Sequence, residues 1–185
     1  MFIKKMWGKV VIYHFFFVPL RRFLKIMTTF IGNIAGRVDE KGRIFVPSSY
    51  RKLLANQESK RIVMRRDTDN GCIIFYPEQV WDKKVTTLRN ALDDWDAEDQ
   101  MLLMQFMSDA ELLEPDNQGR ILLQKKDLEA IGAGQDIIFV GLFDRFALWS
   151  PDKFNEKRLD PHELSERISA RLAESRKRAA LKTES

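Results

Sequence analysis

A single cysteine, Cys72, has no partner for an intramolecular disulfide and forms no Cys-x-x-Cys zinc site. Histidine is nearly as scarce: His14 and His162 are the only two, so no Cys/His cluster can hold a metal, and the lone thiol fits a reducing cytosol. There is no GxSxG elbow and no nucleophile set beside a base, so the chain is expected not to be an enzyme. Gly42 and Gly119 are isolated glycines with no Lys-Ser/Thr pair after them, which removes phosphate-loop readings. Neither a cofactor nor a small-molecule substrate is therefore expected.

Net charge is small too. Residues 1–26 carry six basic side chains and no acidic one, and taking these from the 31 basic residues leaves 25 against 27 acidic, a balance of −2. A body of that charge does not attract phosphate as a whole, so contact with nucleic acid must come from local placement of Arg and Lys. No long apolar run is present either. Val10 to Leu20 is interrupted by His14 and Pro19 and falls short of the roughly 20 residues that a helix needs to span a bilayer. No small-residue cleavage site follows it, as a signal peptide would require. The expectation is that residues 1–27 form a basic, apolar leader outside the fold, with translation starting at Met27 and no membrane partner.

What the chain does have is a repeat. Asp39-Glu40-Lys41-Gly42-Arg43-Ile44 returns as Asp116-Asn117-Gln118-Gly119-Arg120-Ile121, 77 residues later at the aspartates, and Pro77 returns as Pro151, 74 residues later. A unit that cannot close its own core and occurs twice implies a fold made by pairing the copies. With 44% apolar residues there is enough material for one such core.

Each copy reads as hairpin, helix, hairpin. Ile34 to Val38 and Arg43 to Val46 are short β-prone runs around a turn at Asp39 to Gly42, where Asp can bond nearby backbone N–H groups and Gly can take positive φ. Pro47-Ser48-Ser49 predicts a helix with a serine N-cap and with Leu53 and Leu54 facing the core. Arg61 to Met64, a turn at Asp67 to Gly71 and the strand Cys72 to Tyr76 complete the copy. The second copy repeats the order through Arg120 to Leu123, a helix from Lys126 to Ile131 that stops at Gly132, and strands at Ile137 to Val140 and Phe146 to Trp149. Pro77 and Pro151 are each placed to open a helix.

This divides the chain into repeat 1 at 30–80, a helical connector at 81–107, repeat 2 at 108–154 and a charged C-terminal helix or tail at 155–185. Trp81, Val85, Leu88 and Leu92 recur at the spacing of one helical face. A second helix is expected from Asp96, with Asp99 at the capping-box position. It carries Met101, Leu102, Leu103, Met104 and Phe106, too apolar for one exposed face, so it either covers the strands or faces a neighbouring subunit, with core the preferred assignment. Asp160, Pro161 and Glu163 give N-cap, N1 and N3 chemistry to a last helix with a narrow stripe of Leu164, Ile168 and Leu172.

The repeated box offers two kinds of chemistry. Asp39 and Asp116 are expected to bond the arginines four residues on and hold each turn closed, with Gly42 and Gly119 supplying the turn conformation. Arg43 and Arg120 are expected to project from the turns, because a two-stranded ribbon fits the DNA major groove and arginine can bond guanine O6 and N7 bidentately. Lys41 and Arg37 would lie nearby as phosphate contacts.

The two Gly-Arg-Ile boxes, with Phe139-Val140-Gly141 to Leu148-Trp149, resemble the MraZ family of bacterial transcriptional regulators, built from two SpoVT–AbrB-type units. The resemblance covers about Phe30 to Phe154. It implies a mainly β, α+β fold: a pseudo-symmetric swapped-hairpin, AbrB-like β-barrel with flanking helices. It also implies subunits assembled as a ring, and binding of double-stranded DNA at direct repeats in the promoter of the division and cell-wall gene cluster, repressing it, in a cytoplasmic, nucleoid-associated protein. The family's DNA-contacting arginine falls on Arg43, with Arg120 as its counterpart. The second box has Asn117-Gln118 where the first has Glu40-Lys41, which implies weaker phosphate contacts there. An interaction module, like the antitoxin relatives that clasp a protein through a tail, is the alternative.

Overall fold

Pairing between the copies, added to hairpins within them, organises the strands. The computed structural model describes residues 29–183, so the leader and the start at Met27 lie outside the described residues. The first copy contributes β1 (Asn33–Arg37), β2 (Arg43–Phe45), α1 (Ser48–Ala55), β3 (Ile62–Asp67) and β4 (Cys72–Pro77), followed by α2 (Glu78–Arg89) and α3 (Ala97–Ser108). The second contributes β5 (Ala110–Leu113), β6 (Arg120–Leu122), α4 (Lys125–Ala130), β7 (Asp136–Gly141) and β8 (Phe146–Trp149), followed by α5 (Pro151–Lys157) and α6 (Pro161–Thr183). The same sequence of elements occurs twice.

In the first turn Val38 bridges Ile44, and there the expected local hairpin ends. β1 leaves to pair with β7, from Asn33 opposite Val140 to Arg37 opposite Asp136, while β2 pairs with β6. The later hairpins form as expected: β3 pairs with β4 across the Asp67–Gly71 turn, and β7 with β8. The result is a six-stranded antiparallel sheet in the order β1-β7-β8-β4-β3-β5 and a separate β2–β6 ribbon. Exchanging each strand for its counterpart in the other copy reproduces that order read backwards. The pseudo-twofold axis passes between the paired Ile44 and Ile121 and through the β4–β8 pairing at Ile73 to Phe75. The duplication implies that the copies pair, and the β-rich α+β fold with exchanged hairpins is the one that the family resemblance implies.

The sheet and the ribbon enclose one apolar core. Ile44, Val46, Ile121 and Leu123 enter it from the ribbon side, and Tyr50, Leu54 and Leu128 from the helices. Phe146 is fully buried at its centre, with ring centroids of Phe75, Phe30 and Tyr50 at 5.0, 5.2 and 5.3 Å. Close aromatic packing of this kind supplies much of a small domain's buried area.

Several local expectations change. The α1 N-cap is Pro47 and neither serine caps the helix, because Pro47 already holds the extended conformation (φ −50°, ψ 142°) that a cap residue needs. α2 ends at Arg89, which leaves Leu92 outside the helix. Asp96 does cap α3, accepting from Glu98 and Asp99 N–H. Asp99, however, accepts from Asp93 N–H at 2.8 Å instead of closing a capping box on Asp96. The Met-rich helix is not core: no residue of α3 is buried, and Met101, Leu102 and Met104 are exposed. The α6 cap is as expected, with Asp160 accepting from His162 and Glu163 N–H. Among the described residues no helix is long and apolar enough to cross a membrane.

Candidate nucleic-acid interface

The two boxes fold into the same turn. Asp39 N–H donates to Arg43 C=O at 2.9 Å, Gly42 N–H donates to Asp39 C=O at 3.0 Å, and Gly42 takes φ +78°. Asp39 Oδ1 accepts from the N–H groups of Lys41 at 2.9 Å and Arg43 at 2.8 Å, and Oδ2 receives Arg43 Nε at 2.7 Å. In the second copy Asp116 Oδ1 accepts from Gln118 and Arg120 N–H at 2.8 and 2.9 Å, Oδ2 receives Arg120 Nε at 2.7 Å, and Gly119 takes φ +77°. The arginine backbone N–H is the leading cause that holds each carboxyl below its ordinary value of 3.8. Partial desolvation opposes that shift, and the guanidinium reinforces it. Hydrogen bonds to the charged form have this effect wherever they converge on a carboxylate.

The turns also lock to one another. Gly42 C=O accepts from Leu123 N–H at 2.9 Å, and Gly119 C=O accepts from Val46 N–H at 3.1 Å. These bonds are equivalent under the pseudo-twofold, so each copy's turn is fixed by the other copy's strand.

Alternation along the ribbon then sorts its side chains. Ile44 and Ile121 point into the core, while Arg43, Phe45, Arg120 and Leu122 share the outer face, with Arg43 opposite Leu122 and Phe45 opposite Arg120. Phe45 is 53% exposed and Leu122 61%. The Arg120 guanidinium lies 5.8 Å from the Phe45 ring centroid, a cation–π contact. The arginines do not stand free at the turn tips as expected. Each is folded back on its carboxylate, with side chains 31% and 22% exposed, because the Asp four residues earlier takes the Nε edge. That clamp fixes the guanidinium plane and leaves the two terminal amino groups as the donor pair that a bidentate acceptor requires.

Lys41 is exposed at the first turn, beside Arg43. Arg37 ends β1 and pairs with Asp136 at 3.1 Å, so its charge is partly spent within the chain. The sequence did not point to three further cations. Arg51, Lys52 and Lys60 line a groove beside the second turn together with Glu114 and Asp116, and Arg51 Nη1 donates to Gln118 C=O at 2.6 Å. Phe45 and Leu122 were missed as well, although the same alternation that places Ile44 inward puts Phe45 on the face of Arg43. Among the described residues no group of His, Cys, Asp and Glu could hold a metal ion.

Fold and site together define a class: two-repeat proteins whose exchanged hairpins carry a duplicated Asp-x-x-x-Arg box on one ribbon face. The family model of the MraZ protein matches residues 30–104 and 106–179. A protein of Bacteroides thetaiotaomicron named transcriptional regulator MraZ is 36% identical over 137 residues, covering 74% of this chain and 88% of its own length. Namesakes from Bacteroides fragilis (32% identical, 82% of this chain and 96% of its own) and Phocaeicola vulgatus (34%, 75% and 90%) are similar over the same region. The chain belongs to the MraZ family, and its relatives are named as transcriptional regulators.

Proposed function

We propose that this protein is a sequence-specific DNA-binding transcriptional regulator. In this reading it assembles as a ring on direct repeats in the promoter of the division and cell-wall gene cluster and represses it. The observation that carries the proposal is the pair of clamped arginines. Two turns related by a pseudo-twofold present Arg43 and Arg120 on one face of a two-stranded ribbon, each with its Nε held by the carboxylate four residues earlier.

A ribbon of this width enters a major groove, where guanine O6 and N7 accept two parallel hydrogen bonds. Asp39 and Asp116 act as positioning residues: they set the guanidinium planes in advance and so lower the ordering cost of docking. Phe45 and Leu122 lie between the arginines, where an apolar surface meets thymine methyl groups. Lys41 at the first turn, Arg37 beside it, and Arg51 with Lys52 at the second turn supply phosphate contacts. The last two stand where Gln118 lacks the charge that Lys41 provides.

The charge balance favours repeated sites. A body of net −2 binds one site weakly, but several subunits on tandem repeats raise the effective concentration of each later contact. The test is fluorescence anisotropy with DNA from upstream of the protein's own gene, scrambled DNA, and the Arg43→Ala variant. Repeat-dependent binding that Arg43→Ala weakens by about 10- to 100-fold supports the reading. Equal binding to both DNAs, unchanged in the variant, would sink it and move attention to a protein partner.

A further inference from the structure

The outer face of the ribbon is less symmetric than its backbone. The pseudo-twofold exchanges Arg43 with Arg120 and Phe45 with Leu122, so each arginine stands opposite an apolar side chain, aliphatic for Arg43 and aromatic for Arg120. Only an aromatic face attracts a guanidinium, so the 5.8 Å contact between Arg120 and the Phe45 ring has no equivalent between Arg43 and Leu122. Leu122 instead lies over the first turn, where a Cβ on Gly42 would meet its Cδ1 at 3.8 Å. Arg120 is thus held by both Asp116 and Phe45.

The two turns are unlike in charge as well. The first carries its own cation, the exposed Lys41 next to Glu40, whereas the second has Asn117 and Gln118 and takes Arg51 from α1. Arg51 has no cationic counterpart: 77 residues on stands Leu128, which is core. A ribbon with equivalent ends would fit one DNA element equally well in either direction. Direct repeats present every copy with the same direction, so their reader needs unlike ends. Lys41 and Arg51 differ at the turns, beside phosphate, while Phe45 and Leu122 differ on the face that meets base edges.

We propose that Phe45 is a specificity-determining residue: braced on Arg120, its ring reads the 5-methyl group of a thymine on one side of the guanine that Arg43 bonds, and so gives the ribbon a direction along DNA. The proposal rests on the DNA-binding reading above and deepens it. Alternate residues of a strand stand about 7 Å apart, close to two base-pair steps of about 3.4 Å. On a ribbon lying along the groove, the thymine therefore falls about two base pairs from that guanine. A cytosine in its place would bring an N4 amino group against the ring with no acceptor, at the cost of an unpaired donor. The brace holds the ring before binding, which limits the ordering cost.

The test is fluorescence anisotropy of the full chain on promoter duplexes in which deoxyuridine replaces each thymine in turn, removing only the methyl group, or 7-deazaguanine replaces each guanine. Deoxyuridine at one thymine per repeat is expected to weaken the parent about 3- to 5-fold, the effect of one buried methyl group. Phe45→Ala, at an exposed position and checked for folding by circular dichroism, is expected to bind the thymine and deoxyuridine duplexes alike while keeping the loss at the guanine read by Arg43. Leu122→Ala is expected to keep the thymine effect. A parent indifferent to every thymine methyl, or a folded Phe45→Ala variant that keeps the effect, would overturn the proposal, and persisting dependence on guanine N7 would leave the DNA-binding reading standing. Equal effects at two thymines placed symmetrically about the guanines would overturn the direction. Equal binding of promoter and scrambled DNA would overturn both readings.

Discussion

Replacing the turn glycines with alanine separates the backbone lock from simple turn preference. Gly42 and Gly119 occupy nearly the same left-handed conformation, at φ +78° and +77°. Alanine pays about 1 kcal/mol there, reduced by a few tenths through the lower entropy of the unfolded chain. The surroundings differ. A Cβ on Gly42 would lie 2.8 Å from the backbone carbonyl oxygen of Leu123, whereas on Gly119 it meets the side chain of Arg51. Arg51 is exposed and can swing aside by giving up its solvent-exposed bond to Gln118 C=O. Leu123 cannot retreat without stretching the 2.9 Å bond from its N–H to Gly42 C=O, a bond worth about 1 kcal/mol, and disturbing a strand whose side chain is core. Gly42→Ala is therefore expected to cost about 2–3 kcal/mol and Gly119→Ala about 1 kcal/mol. Urea denaturation at one fixed protein concentration measures both. Equal costs, or a larger cost at Gly119, would refute the claim that the Leu123 carbonyl beside Gly42 yields less readily than the Arg51 side chain beside Gly119.

Other outcomes follow from the same geometry. Phe146→Ala removes the ring at the centre of the aromatic cluster and is expected to lower stability by about 3–5 kcal/mol in urea denaturation. Asp39 and Asp116 have folded values below 3.8, so the unfolded chain binds more protons near that pH. Their contribution is present above pH 3.8 and lost as pH falls through the folded values. Melting temperatures of the parent should drop in that acid range more steeply than those of the Asp39→Asn, Asp116→Asn double variant, and identical profiles would count against the clamps. Cys72 is buried, and burial, with the nearby Asp67 charge second, pushes its thiol up to about 12. It should therefore resist alkylation in native buffer and react promptly in denaturant, as mass spectrometry would show.

The duplication made the architecture legible because a repeated box fixes equivalent positions without reference to partners. Turns at Asp39 and Asp116, the Gly132 stop and the Asp160 cap follow from residue chemistry that acts within a few positions. Which strand pairs with which does not. Alternation in Asn33 to Phe45 is the same whether β1 returns on β2 or crosses to β7, so the single Val38–Ile44 bridge could not be foreseen from local pattern. Met101 and Met104 illustrate a second limit: sequence reports that a helix is apolar all round, not what covers it. The arginines show a third, since the sequence places Asp39 four residues from Arg43 but only the fold shows that the carboxylate takes the Nε edge and holds the side chain back.

The central claim is that a clamped arginine reads guanine, and 7-deazaguanine tests it most directly. Affinities of the parent and of Arg43→Ala are measured for promoter repeats with and without N7 at each guanine. If Arg43 bonds N7, removing the acceptor weakens the parent by about 10-fold or more at one guanine per repeat and leaves Arg43→Ala unchanged there. Equal losses in both proteins at every guanine would contradict the account.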